Sequence, residues 1–393
     1  MPFSAVIGQK DTIQQLLSMV QQNRVSHALL FLASEGSGGL IMANAFAQYL
    51  MCEKVRQAGA PSLFGDAVET AVPTDSCGQC ATCVKSHAYI HPDIHYSFPV
   101  ITSEKLKKPK CSDYVVSWRQ FMQEQPHGNT YDWLQFIDAE NKQGNITAAE
   151  VEDINRKMNL KSFENSFKIL IMWMPEFLGE QGNKLLKLIE EPPPDTIFIL
   201  VAENGGAVLP TIISRTQLVR LHPLSRLDIE SALELQQGVA LKKARQVAAV
   251  SNGNYREALL HLGNSEDDWE KMLRDWMNSI IKTGPVAQLK WVEDIAKTGR
   301  ENQKQFLRYF SQLIELALRS QFLPPLAESS SREQDFADRL NKLCSIEQLE
   351  AISHELDQSV YHIERNANAK ILFLSLTIRL YHIISNKSVI LVQ

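Results

Sequence analysis

Apolar residues recur at helical spacing across residues 11–21, where Ile13, Leu16, Leu17 and Val20 share one face, so an amphipathic helix is predicted there. The apolar run at 27–33 predicts a short strand. It leads into Ser34-Glu35-Gly36-Ser37-Gly38-Gly39, and a second helix is expected from Leu40 to about Met51. Further strands are expected at 94–101, 168–172, 196–201 and 217–221. Thr147-Ala148-Ala149-Glu150 reads as a capping box, with Thr147 as N-cap and Glu150 reaching back to its amide; the helix it opens ends before Lys168. Another helix is predicted over 179–189, stopping at Pro192-Pro193-Pro194. Strands alternating with helices imply βαβ units in a doubly wound parallel sheet. After Pro223 the pattern is helical throughout. Three segments fill 224–262, punctuated by Gly238 and Asn252-Gly253-Asn254; from Glu266 onward the breaks fall at Gly284-Pro285 and at 323–331, a candidate loop. No internal repeat of fixed period is found.

A chain of 393 residues suggests two or three domains at roughly 150 residues each. With 44% hydrophobic and 22% charged residues it can bury a real core, which excludes wholesale disorder. No stretch approaches the ~18 apolar residues of a membrane span. Met1-Pro2-Phe3-Ser4-Ala5 has neither the basic region nor the apolar core of a signal peptide, so a cytoplasmic location is expected. The net charge of -5 argues against DNA binding by the chain's own surface, because phosphate neutralisation dominates that affinity. The dense basic cluster Lys105, Lys107, Lys108 and Lys110 is expected to be a solvated loop in a polar insertion.

Two positions bear on phosphate chemistry. A working phosphate loop reads G-x-x-x-x-G-K-[ST], with backbone amides cradling phosphate, Lys neutralising it and a hydroxyl on Mg²⁺. The register here is Ala33 to Leu40: Gly36 and Gly38 remain, but Gly39 stands at the Lys position and Leu40 at the hydroxyl position. The strand at 168–172 is followed by Trp173-Met174-Pro175-Glu176, with no carboxylate at the first two positions to hold a metal. Hydrolysis is therefore not expected. Cys77-Gly78-Gln79-Cys80-Ala81-Thr82-Cys83 points elsewhere: three thiols spaced by two residues can converge on one ion, and Cys52 is the natural fourth ligand of a closed structural zinc site. His87 and His91 are alternative ligands, and an iron–sulfur cluster or no metal are alternative outcomes. Cys111 and Cys344 read as plain structural thiols.

In order along the chain come Val6-Ile7-Gly8-Gln9, Ser26-His27-Ala28-Leu29-Leu30-Phe31, the cysteine cluster and His91-Pro92-Asp93. They are followed by Asn183-Lys184-Leu185-Leu186-Lys187-Leu188-Ile189-Glu190-Glu191-Pro192-Pro193 and by Leu209-Pro210-Thr211-Ile212-Ile213-Ser214-Arg215-Thr216-Gln217. This ordered set resembles the delta-prime family of bacterial DNA polymerase III clamp-loader subunits, relatives of the AAA+ proteins. The match covers residues 1 to about 265; beyond that it is carried mainly by Asn366-Ala367-Asn368-Ala369-Lys370.

The resemblance implies an α/β AAA+ P-loop-like domain at 1–222, carrying a zinc module near 52–95 and an insertion near 102–140. An all-α lid at 223–265 and an all-α collar for oligomerisation at 266–393 would follow. It implies a non-hydrolysing subunit that helps load the sliding clamp on primed DNA, beside gamma/tau-like ATPase and delta partners, with primer-template DNA met through the assembly and no membrane. Ser214 and Arg215 match the motif that supplies an arginine to the ATP site of a neighbouring subunit, where a guanidinium offsets charge on the transferring phosphoryl group. ATP is thus expected only at that interface, and zinc as the chain's own structural cofactor. The departures are Thr216 in place of the family's cysteine, the long gap from Cys52 to Cys77, and Ala202-Glu203 where active relatives sense phosphate. Arg256 matches a lid arginine that touches nucleotide in active subunits and is expected here to be a structural remnant. The alternative reading is an atypical AAA+ ATPase of replication or repair; a zinc-dependent nucleic-acid-binding module is disfavoured by the charge.

Overall fold

The computed structural model describes residues 1–58, 72–103, 106–139, 142–165, 167–263, 266–322, 331–364 and 367–385. Residues 59–71 between Cys52 and Cys77, Lys105 of the basic cluster, all but the last residue of the loop expected at 323–331, and Asn366 lie outside them. The chain divides into two compact units: Met1–Ala244 with Ser251–Leu259, and Arg245–Val250 with Leu260–Gln393.

The helices in chain order are α1 (Lys10–Gln21), α2 (Gly39–Met51), α3 (Glu53–Ala58), α4 (Ala81–His87), α5 (Val115–Glu124), α6 (Thr130–Phe136), α7 (Ala148–Met158), α8 (Leu186–Glu190) and α9 (Pro210–Ile213). They continue as α10 (Arg226–Gln237), α11 (Leu241–Val250), α12 (Tyr255–Gly263), α13 (Glu266–Asn278), α14 (Pro285–Ile295), α15 (Arg300–Ser320), α16 (Ser331–Leu343), α17 (Ile346–Glu364) and α18 (Ala369–Ser385). The strands β1 (Ala28–Ala33), β2 (Ile94–Ser97), β3 (Lys168–Trp173), β4 (Thr196–Ala202) and β5 (Gln217–Leu221) form one sheet in the order β2-β3-β4-β1-β5. Every pairing is parallel, as the alternating pattern predicts.

Side chains alternate between the two faces of this sheet. Leu29, Phe31, Ile169, Ile171, Ile199 and Val201 join α1, α2, α5 and α6 in one core; Leu30, Leu170, Met172, Phe198 and Leu200 pack against α7, α8 and α9 in another. Burial on both faces is why the central strands read as unbroken apolar runs.

Four expectations need correction. The strand expected at 94–101 stops at Ser97, before Pro99, with only a single antiparallel bridge from Val100 to Asn145 beyond it. The helix expected over 179–189 is a 3₁₀ segment, Pro175–Lys184, broken at Gly179 (φ 50, ψ -138) and followed by the short α8. Half of the capping box forms: Thr147 accepts the Glu150 N–H, but the Glu150 carboxylate accepts the Cys111 N–H at 2.7 Å instead of returning to Thr147. That contact is long-range, so no local pattern could announce it. The polar insertion is the largest departure. Helices α5 and α6 bury Trp118, Phe121, Met122 and Trp133, while Lys107 and Lys108 of the basic cluster are exposed in a loop, as expected.

In the second unit the described elements are helices. Trp276 and Trp291 stack at 4.5 Å among Phe306, Phe310 and Phe373, and Trp276 donates its indole N–H to Thr377 Oγ1 at 3.0 Å.

Candidate functional site

The carboxyl ends of parallel strands are where such sheets gather function, because each strand hands over there to a loop and a helix N-terminus. Here that edge carries the turn after β1. Gly36 (φ 71) and Gly38 (φ 90) adopt left-handed backbone that glycine supplies without strain. Gly39 is required for space: a Cβ would lie 2.6 Å from the Ala33 Cβ and 3.1 Å from a Val201 methyl. The turn is thus shaped by its glycines, and Gly39 and Leu40 offer it neither cation nor hydroxyl. Ser37 is buried, with its hydroxyl donated to the Ser34 carbonyl at 2.6 Å, and Leu40 joins the core. Gln9 ties the turn down by donating to the carbonyls of Ser37 and His222 at 3.2 and 2.6 Å.

At the end of β3, Trp173 is buried with its ring 5.3 Å from Trp118 and 6.2 Å from Phe121. The Glu176 carboxylate accepts the N–H groups of Glu203 and Asn204 at 2.6 and 2.8 Å. Burial raises its pKa against the pull of those amides. Over the turn, the Tyr255 N–H donates to the Gly36 carbonyl at 3.2 Å, and Asn254 Oδ1 is so near that a Cβ on Gly36 would meet it at 1.8 Å. Arg256, which follows, donates to both Asp132 oxygens, Nε at 2.5 Å and Nη2 at 2.6 Å, and to Glu35 at 3.1 Å.

A second centre lies where α2 ends. The Sγ atoms of Cys52, Cys77, Cys80 and Cys83 all lie within 4.8 Å of one another. Four sulfurs at ~2.3 Å around one tetrahedral ion would be ~3.8 Å apart, so the donor set fits a structural metal. Amides support the sulfurs: the Cys77 N–H points at Cys52 Sγ and the Cys80 N–H at Cys77 Sγ, both at 3.3 Å. Burial works upward on the Cys77 thiol, but the amides of Gln79 and Cys80 and the neighbouring thiols outweigh it and lower its pKa to about 6. Burial pushes Cys83 the other way. Cys52 belongs to the cluster despite the long gap. Neither His87 nor His91 does: His91 Nδ1 accepts the Asp93 N–H at 3.1 Å and Nε2 lies 3.3 Å from the Asn165 amide. Cys111 and Cys344 are buried elsewhere.

Ser214 and Arg215 follow α9, at the other end of the unit's sequence. Arg215 pairs through Nε with Glu190, and its Nη1 donates to the Thr211 carbonyl at 2.9 Å and to Ser214 Oγ at 3.2 Å. Its side chain is 36% exposed. Thr216 donates its hydroxyl to the Ile212 and Ile213 carbonyls, closing the last turn of α9.

Asp132, Trp118 and Trp133 escape the sequence reading. The available signal is aromatic density, Tyr114, Trp118, Phe121, Trp133 and Phe136, in a segment taken as polar. Asp93, the last residue of the His91-Pro92-Asp93 motif, accepts the N–H groups of Phe163, Glu164 and Asn165 at 2.6–2.9 Å and so pins the loop before β3.

Known proteins resemble this chain. A family model described as DNA polymerase III, delta subunit, matches residues 8–225. DNA polymerase III subunit delta' of Bacillus subtilis is 26% identical over 259 residues, 66% of this chain and 60% of that protein. The delta' subunit of Haemophilus influenzae is 29% identical over 196 residues, 50% of this chain and 42% of that protein. The tau subunit of Bacillus subtilis is 23% identical over 326 residues, 80% of this chain and 46% of that protein. The chain thus spans about half the length of these curated relatives. With more than half of its residues matched by the family model, and with relatives named as delta', the chain belongs to the DNA polymerase III delta-subunit family as a delta-prime-like member.

Proposed function

We propose that the chain is a clamp-loader subunit that hydrolyses no ATP itself and completes the ATP site of a neighbour with Arg215. The observation that carries the first half is the pairing of two losses at one edge of the sheet. Gly39 and Leu40 stand where a cation and a hydroxyl are needed, and Trp173, packed on Trp118, stands where a metal-holding carboxylate is needed. The second half is supported by the place of Arg215, part-exposed after α9 and held by Glu190, a surface contact of little net strength that a phosphate could displace. The 1–222 stretch acts on this reading as an AAA+-like arm, 223–265 as its lid and 266–393 as the helical collar that joins gamma/tau-like and delta subunits. The sliding clamp and primer-template DNA are then met through the assembly, in the cytoplasm.

Cys52, Cys77, Cys80 and Cys83 hold zinc on this reading. With all four positions taken by protein, the ion supplies cross-linking rather than Lewis-acid chemistry, tying the end of α2 to α4.

The test is ATP turnover by a loader reconstituted with its ATPase and delta partners, comparing wild type with Arg215→Ala beside the isolated chain. An inert isolated chain and a fall of at least about tenfold in the assembly, about 1.4 kcal/mol of barrier, is the expected result. Turnover by the isolated chain would instead favour the atypical ATPase, and an unchanged rate in a fully assembled complex would remove Arg215 from the site.

A further inference from the structure

The insertion at 102–140 has no part in the function proposed above, yet it reaches the turn after β1. Asp132 is the third residue of α6. Its carboxylate accepts the Asn129 N–H at 3.0 Å, and Asn129 Oδ1 accepts the Asp132 N–H at 3.0 Å, so the helix start holds the side chain in one orientation. Oriented in this way it meets Arg256 with two parallel contacts, at 2.5 and 2.6 Å, the geometry in which a guanidinium otherwise grips phosphate. Glu35, from the turn itself, takes another N–H of the same guanidinium at 3.1 Å. The arginine side chain is 4% exposed, so its charge is met by carboxylates away from water.

The same insertion also contributes to the apolar core of the first unit. Trp118 stacks on Phe98 at 4.1 Å, meets Trp133 edge-on at 5.2 Å and packs on Trp173. Trp118, Phe121 and Trp133 are fully buried in the core that also takes up Leu40 and Ile41 of the first turn of α2. Across the turn, His127 packs edge-on against the buried Tyr255 at 4.6 Å.

We propose that α5 and α6 are a built-in replacement for a nucleotide. Asp132 and Glu35 fill the anion-binding fork of Arg256, and His127 packs on Tyr255 beside it. Residues 251–259 are thereby latched onto the β1–α2 turn with no ligand present. The latch rests on reading that turn as a lost phosphate site, but not on any role for Arg215. A phosphate could enter only by displacing two carboxylates from Arg256, and bound phosphate would stand beside both of them. The device converts a ligand-dependent contact into a permanent one, so these residues should hold one arrangement whether or not ATP is present.

Amide hydrogen–deuterium exchange on the full chain tests this. Wild type is expected to exchange slowly at residues 36–42 and 254–258, unchanged by millimolar MgATP. Asp132→Asn keeps the side-chain shape and removes the charge; it is expected to raise exchange at those amides at least about tenfold, or about 1.4 kcal/mol. Adding Arg256→Gln to it should be no worse than Arg256→Gln alone, because the two changes remove the same contact. Unaltered exchange in β3 and β4 separates local opening from misfolding. If Asp132→Asn does not fold, Glu35→Gln, which removes the longer contact, is read at the same amides: raised exchange supports the latch and wild-type exchange overturns it. Wild-type exchange in Asp132→Asn, or protection of the wild-type turn by MgATP, would also overturn it. A loader indifferent to Arg215→Ala would sink the trans arginine and leave these outcomes untouched.

Discussion

At the scale of single residues, two kinds of half-buried or buried group govern how the protein responds to its surroundings. Four thiols within 4.8 Å of one another are a poor arrangement without an ion, since each thiolate repels the next. Elemental analysis of protein purified without chelator is expected to find one zinc per chain, and Cys80→Ser to lower that occupancy; no metal in wild type would dismiss the site. Histidines act through pH. Burial lowers His127 to about 4, and burial with repulsion from Lys157 and Lys168 lowers His95 to about 4. Unfolded histidine titrates near 6.5, so between 6.5 and 4 the unfolded chain takes up protons that the folded chain refuses. Stability is therefore full above that window and falls as pH drops through it, by roughly 1.4 kcal/mol per unit for each histidine. Denaturant melts across the window should show that slope, and His127→Gln should remove about half of it.

At the scale of elements, the insertion shows how far tertiary context can overrule local reading. Helix α5 is short and mixed in composition, burying its apolar residues at 118, 121 and 122 while Val116 is exposed and the rest is largely polar or charged. It becomes core because the end of β3 offers Trp173 and the loop after β2 offers Phe98 as packing partners. Trp118→Ala is expected to destabilise the first unit by about 3–5 kcal/mol, the range for deleting a fully buried indole, measured by urea unfolding followed at residues 1–244. A cost near zero would mean that α5 and α6 are a detachable cover.

At the scale of the whole molecule, the net charge of -5 sets the expectation for contact with nucleic acid. Among the described residues no helix is long and apolar enough to cross a membrane. Titrating labelled duplex with the isolated chain at physiological salt should give a Kd no tighter than about 10⁻⁴ M, the weak edge of non-specific binding. Tighter binding would show that a local basic surface outweighs the net charge.

The amino-acid sequence by itself determined the alternation of strands and helices outside the insertion, the glycine-rich turn after β1, and the spacing of the thiols at Cys77, Cys80 and Cys83. These are properties of neighbouring residues, set by periodicity, backbone freedom and ligand spacing. Tertiary structure alone decided what Glu150, Asp132 and Trp118 do, because their partners lie 39, 124 and 55 positions away, at Cys111, Arg256 and Trp173. It also brought Cys52 to the other thiols across the long gap. A carboxylate's partner is chosen by which buried N–H would otherwise lack one, and an indole's by which apolar space is left to fill. Both are settled only when the sheet and its covering helices close.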